Sequence, residues 1–316
     1  MKKKVLITGG GGFIGHSLSL FLSKKNYDLT IFDNFSRQSR NLIQKTDKIK
    51  FVKGDIRNQN LLIKKTKNVD MIIHAAYING TKFFYSKPDI ILDVAVKGMI
   101  NVLEACEKNK IKELILISSS EVYQLPPKIP TPEDVPLVVP DISNPRFSYG
   151  GGKLISELLV MNHKIKSLKR CFIVRPHNVY GENMGKEHVI PELLLKIKNQ
   201  LKIRKKPKIN IQGNGLETRA FIYINDFING FNILIRKAKN KNVYHIGSSQ
   251  EISIKDLISK ISKILKVKIQ FTKGKRSKGS VLRRCPNISK LKKLGFKNFK
   301  FNFLGLKNTM DWYLGK

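Results

Sequence analysis

Val5-Leu6-Ile7-Thr8-Gly9-Gly10-Gly11-Gly12-Phe13-Ile14-Gly15 is the stretch whose reading decides the fold. A short apolar strand runs into glycines, and the glycines open an amphipathic helix near Phe13. Gly9, Gly12 and Gly15 recur every third residue, and each has a physical use. Gly9 allows the tight turn off the strand, Gly12 lets backbone approach a pyrophosphate, and Gly15 lets the helix pack close to the sheet. The N–H groups at the helix start, around Phe13 and Ile14, would then point at phosphates. A glycine triplet alone is a weak signal. The strand before it and the helix after it supply the context of a dinucleotide site.

Working outward, the second strand ends in Ile31-Phe32-Asp33-Asn34. An acid at this distance from the glycines is placed to bind ribose hydroxyls and to repel a 2′-phosphate, which favours NAD over NADP. Arg37 lies close by and pulls the other way. Gly54-Asp55-Ile56 ends the third strand and is expected beside the adenine; Asp55 is equally suited to cap the next helix. The spacing predicts strands at 4–8, 29–33, 50–53, 71–74, 114–118 and 171–175, with helices at 13–25, 58–67, 88–109 and 148–166. Such alternation implies an α/β fold, a doubly wound parallel sheet of Rossmann type with right-handed crossovers. After residue 175 the segments shorten: a helix at 189–200 and strands at 209–212 and 220–224. Residues 1–175 are expected to form the NAD-binding domain. Segments near 225–250 return to it, and 176–316 mainly form a smaller α+β lobe for substrate.

The composition fits a globular protein: 316 residues, 41% hydrophobic and 26% charged. The charge balance is skewed, with 60 Lys+Arg against 23 Asp+Glu, a net of +37. Nucleic-acid binding and attraction to an anionic membrane are two readings. The lysines are scattered, however, and their clusters at 2–4, 204–208 and 273–278 have no interleaved aromatics for base stacking. A lysine-coated surface with no specific nucleic-acid partner is the simpler reading, and its field suits an anionic substrate. Cys106, Cys171 and Cys285 show neither disulfide nor metal-ligand spacing. The apolar run after Lys2-Lys3-Lys4 is too short for a secretory signal, and no stretch reaches the length of a membrane span. These features point to a cytoplasmic protein.

Ile117-Ser118-Ser119-Ser120-Glu121-Val122-Tyr123 ends a buried strand, and Tyr149-Gly150-Gly151-Gly152-Lys153 opens a later helix. A Tyr and a Lys four apart share a helical face. The lysine charge favours tyrosinate, so Tyr149 is a candidate general base for a hydroxyl proton. A serine at the strand end can orient the same hydroxyl.

The glycine loop, Asp33-Asn34, His74-Ala75-Ala76, the 118–123 run and Tyr149…Lys153 together resemble the extended short-chain dehydrogenase/reductases, in their NAD-dependent nucleotide-sugar epimerase/dehydratase branch, which includes UDP-glucose 4-epimerase. Arg175-Pro176-His177-Asn178, Thr218-Arg219-Ala220-Phe221 and Arg284-Cys285-Pro286-Asn287 fit as well, so the resemblance spans nearly the whole chain. It implies Tyr149 as base, Lys153 on the nicotinamide ribose, Ser119 as the catalytic serine, and Ala75 and Ala76 along the cofactor. It implies Asn178 and Arg219 on a substrate diphosphate with a C-terminal arginine: Arg283 first, Arg276 or Arg284 otherwise. Ser120 and His188 are further substrate candidates; His188 equally suits an incidental helix start. The family also implies a homodimer through the helices at 88–109 and 148–166, and a place in surface polysaccharide assembly. Two positions depart from the pattern: Ala95 where Asn is frequent, and Gln124 where Gly usually follows the tyrosine.

In this branch a hydride leaves a sugar carbon for NAD, giving a keto sugar. The resemblance ranks 4-epimerase first. Dehydration needs an acid/base pair that the family supplies as Asp-Glu, where this chain has Ser120-Glu121. A UDP-glucuronate decarboxylase carries Ser-Glu and ranks second; a 4-dehydrogenase or reductase ranks third. Glu121 is open to two roles, acid/base or simple orientation of the sugar. The rival class is a non-enzymatic dinucleotide- or RNA-binding protein, against which the Ser119/Tyr149/Lys153 set argues.

Overall fold

Six of the seven strands of the central sheet come from the first 176 residues: β1 (Lys3–Thr8), β2 (Tyr27–Asp33), β3 (Ile49–Lys53), β4 (Met71–His74), β5 (Glu113–Ile117) and β6 (Arg170–Pro176). The computed structural model describes residues 2–36, 49–276, 279–297 and 301–315. Arg37 and the end of the 273–278 lysine cluster lie outside the described residues. β4 is buried at every residue and β5 and β6 at all but the first. Strands covered on both faces read as unbroken apolar runs, which is why they were legible.

The strands are parallel, in the order β3-β2-β1-β4-β5-β6, followed by Asn242–Ile246. The order reverses between β1 and β4, and a crevice opens there at the carboxyl ends. Asn242 pairs in register with Phe172 and Ile246 with Pro176.

Five helices cover this first part: α1 (Phe13–Ser23), α2 (Gln59–Lys65), α3 (Thr81–Ser86), α4 (Pro88–Lys108) and α5 (Ser148–Asn162). Asn58, not Asp55, caps α2, accepting from the Leu61 N–H at 3.0 Å. The short α3 was not anticipated, and α5 stops at Asn162 because His163 turns to extended backbone. α6 (Val189–Leu201) follows.

Of the stretch expected as a strand at 220–224, only Ile222–Tyr223 is one; a short strand, Thr218–Arg219, precedes it and a helix, Ile224–Lys237, begins at its end. Helices Ile254–Leu265 and Phe303–Leu314 and the strand Gln270–Gly274 were also unforeseen. One apolar core joins Val5, Ile31 and Val174 to Phe227, Leu257 and Leu306, so the later segments pack on the same side of the sheet as α1. A second core under α4 and α5 joins Leu6, Ile72 and Leu114 to Met99 and Val160. No helix among the described residues is long and apolar enough to cross a membrane.

Candidate active site

A cleft of about 480 Å³ runs over the carboxyl ends of β1, β2, β4 and β5. Gly9, Gly12, Phe13, Ile14, Gly15, Asp33, Asn34, Asp55, Ile56, Ala75, Ala76, Tyr149, Lys153 and His188 all line it. The glycine loop is held by backbone contacts. Gly9 has φ +69° and accepts from the Gly12 N–H at 3.0 Å. A Cβ at Gly9 would lie 2.4 Å from the Ala76 nitrogen, and one at Gly15 would lie 2.0 Å from the Gly9 carbonyl oxygen. The close approach at Gly15 is therefore to the loop itself rather than to the sheet. No side chain caps α1 at Gly12, and its first turn carries no acid. Its opening N–H groups are thus available to an anion in the cleft.

Asp33 ties the loop to the second strand. Its carboxylate accepts from the Gly11 N–H at 2.8 Å and from the Phe35 N–H at 2.7 Å. Asp55 pairs with Arg57 at 2.7 Å, which holds its carboxyl below the usual range, and Arg57 also reaches Asp93 at 2.9 Å. Uncapped helix N–H groups, glycines where side chains would intrude and a carboxylate at the far end suit a dinucleotide with a ribose diol.

Tyr149 and Lys153 share the inner face of α5 and both are buried. The Tyr149 ring is clamped between Phe84, stacked at 4.8 Å, and Tyr77, edge-on at 5.0 Å. Lys153 donates to the Ile117 carbonyl at 2.7 Å, and its ammonium sits 3.9 Å from the centre of the Tyr77 ring. Burial pushes the Lys153 ammonium down to about 7 against the pull of Glu157. Beneath it, His74 is paired with Thr8 at 2.7 Å; burial and the Lys153 charge hold it at about 3, a neutral imidazole.

Ser118, not Ser119, lines the cleft, and its hydroxyl is bonded to Glu157. Ser119 starts the 3₁₀ turn Ser120–Tyr123, its Oγ accepting from the Glu121 N–H at 3.1 Å. Ser120 is buried within that turn. Arg175 forks onto Glu157 at 2.9 and 2.6 Å and also reaches the Tyr123 hydroxyl, so a buried network braces the turn.

The Glu121 carboxylate is forked onto Arg284. Burial would raise it, but Arg284, with Arg146 and Arg219 nearby, holds it at about 2. Arg219 donates to the carbonyls of Thr218, Leu282 and Val281. Burial, then the neighbouring Arg284 charge, lowers it to about 10. Arg283, the first choice from sequence, is instead half exposed and forked onto Glu251 at 2.7–3.0 Å. Of this pair it is Arg284 that meets Glu121. Arg276 is exposed. Asn178 has φ +43° and donates to the Ala220 carbonyl at 3.4 Å.

Sequence reasoning missed Tyr77, Phe83 and Arg57, which also line the cleft. Residues that matter through packing carry no spacing signal. His177 was also passed over. It is buried, neutral, and neither ring nitrogen has a hydrogen-bond partner among the described residues.

Residues 5–247 match the NAD dependent epimerase/dehydratase family. The chain belongs to this family. It is 31% identical to a putative UDP-glucose 4-epimerase of Methanocaldococcus jannaschii, over 98% of this chain and 97% of that protein. It is 32% identical to a dTDP-D-glucose 4,6-dehydratase of Dictyostelium discoideum, over 83% of this chain but only 62% of that protein's length. Among solved structures it resembles the UDP-glucuronic acid 4-epimerase of Bacillus cereus in complex with UDP-glucuronic acid and NAD. That likeness has a TM-score of 0.85 and 26% identity, and covers 98% of each chain. Relatives in the family include epimerases, a decarboxylase and 4,6-dehydratases. The chain is thus an NAD-dependent enzyme of a nucleotide-sugar epimerase/dehydratase family with a Rossmann-type sheet.

Proposed function

We propose that the chain is a nucleotide-sugar 4-epimerase. The observation that carries this reading is the Glu121–Arg284 pair. A carboxylate held at about 2 and forked onto a guanidinium has no proton to give and is a poor base. Eliminating water requires such a group beside the sugar. With Glu121 committed, the Tyr149/Lys153 pair is left to handle protons, and that suffices for oxidation at C4 and return of the hydride.

NAD supplies the hydride acceptor and donor. Tyr149 takes the C4 hydroxyl proton as the keto sugar forms and gives it back after the ketone has turned over. Lys153 favours the tyrosinate and binds the nicotinamide ribose, and Ser119, one residue past the cleft-lining Ser118, is assigned to orient the hydroxyl. Asn178, Arg219 and Arg284 hold the diphosphate, with His188 and Ser120 against the sugar or nucleotide. In this reading 1–175 and the segments near 225–250 carry NAD, and 176–316 mainly carry the sugar nucleotide.

Decarboxylation of a sugar acid is the second reading. It is favoured by Ser120-Glu121 and by three arginines around a single carboxylate. Mass spectrometry after incubation with NAD and UDP-, dTDP- and GDP-sugars separates the two. A new isomer of unchanged mass supports epimerisation, whereas loss of carbon dioxide or of water overturns it.

We also propose a cytoplasmic homodimer through α4 and α5. These helices pack together and leave Leu92, Ile100, Ile155 and Leu158 exposed. A monomer by light scattering would reject the dimer.

A further inference from the structure

We infer that Tyr77 is a positioning residue that fixes Tyr149 and Lys153 relative to one another, and that glycine stands at 152 to admit it. This rests on the proposed roles of Tyr149 and Lys153.

Tyr77 leaves the end of β4 just after Ala75-Ala76 and enters the cleft wall. It makes a different contact with each partner. Its ring face lies 3.9 Å from the Lys153 Nζ, its ring edge meets the Tyr149 ring at 5.0 Å and 81°, and its hydroxyl donates to the Tyr149 carbonyl at 3.3 Å. Among the described residues Lys153 donates to the Ile117 carbonyl. Burial opposes its charge, while the Glu157 carboxylate and the quadrupole of the Tyr77 face both favour it. The Tyr77 ring therefore helps keep the lysine cationic, and that cation favours tyrosinate at Tyr149.

The space for this ring depends on Gly152. A Cβ there would lie 2.3 Å from the Tyr77 hydroxyl oxygen and 2.7 Å from the Ala95 Cβ. An ordinary side chain at 152 would push Tyr77 off the lysine. Simple core filling would require volume alone, and leucine would then serve as well as tyrosine.

The test is a pH titration of tyrosinate absorbance in the full chain, read beside kcat, for the native protein, Tyr77→Phe, Tyr77→Leu, Gly152→Ala and Tyr149→Phe. The lowest-pH tyrosinate step should vanish in Tyr149→Phe. Tyr77→Leu should move that step up by about half to one pH unit and lower neutral-pH kcat roughly tenfold. Gly152→Ala should do the same by displacing Tyr77. Tyr77→Phe, which keeps the face, should leave the step within roughly 0.2 unit. A step lost in Tyr149→Phe but unmoved in Tyr77→Leu, or moved equally by Phe and Leu, overturns the role of Tyr77 alone. A step that persists in Tyr149→Phe overturns the tyrosine base and this inference together.

Discussion

Arg284 is the register partner of Arg219 on a two-residue parallel ladder, while Arg283 is the partner of Thr218. Side chains alternate faces along a strand. Arg284 therefore joins the Arg219 side and meets Glu121, whereas Arg283 and Thr218 both turn to Glu251.

This alternation gives two neighbouring arginines different partners. Arg284→Ala should raise the KM for the nucleotide sugar about 10- to 100-fold, as expected for a charge-assisted contact worth ~1.5–3 kcal/mol, with NAD content unchanged. Arg283→Ala should stay within about threefold. Steady-state kinetics on both variants checks this, and the reverse order would return the role to Arg283.

Lys153 gives a pH signature. Its folded pKa, about 7, lies below the ordinary 10.5, so the unfolded chain binds more protons between those values. Stability rises with pH across that window, and the cost of the buried charge is fully present below about 7. Lys153→Met should therefore raise the melting temperature at pH 6 by roughly 2–4 °C. That gain should fade as pH climbs toward 10, while activity is lost throughout. A gain independent of pH would contradict a depressed lysine.

Gln124 and Gly150 form a matched pair. Gln124 has φ +48°, which explains why glycine is the usual residue there, and its amide occupies the space beside Gly150. A Cβ at Gly150 would lie 1.7 Å from the Gln124 Nε2 and 2.5 Å from the Glu121 carbonyl oxygen. Gly150→Ala should destabilise by about 2 kcal/mol or more, as overpacking does. Adding Gln124→Gly should recover part of that loss in a denaturant melt. Equal losses in the single and double variants would show that the two positions are uncoupled.

At the phosphate loop, Gly15→Ala should weaken NAD binding at least tenfold, because its methyl must displace the Gly9 carbonyl at 2.0 Å. Isothermal titration with NAD reads this directly. Unchanged affinity would show that the loop yields without cost.

The legible parts of the molecule were those with backbone reasons. β1, β4, β5 and β6 carry apolar runs because both faces are covered, and Gly9 and Gly15 of the loop sit where a Cβ has no room. The substrate side was harder. Arg283 and Arg284 are adjacent and chemically identical, and a shift of one residue in register exchanges their faces. Ser119 and Glu121 are candidates by resemblance, but Arg284, which pairs with Glu121, comes from 163 residues further along the chain. Helix Ile254–Leu265 escaped notice because lysines interleave with the inward apolar face of Ile254, Leu257, Ile258 and Ile261, and strand Gln270–Gly274 because none of its residues is buried.

The position of Asn242–Ile246 beside β6 has a consequence for synthesis. Until residue 246 is made, β6 is an open edge with unpaired N–H and C=O groups beside a half-built core. A growing chain has already laid down its glycine loop, Tyr149 and Lys153 by then, but the sheet that supports them still lacks its last strand. While the 176–241 stretch is being translated, the β6 edge is thus open to mispairing with another copy. Long-range closure of this kind also slows folding relative to local pairing.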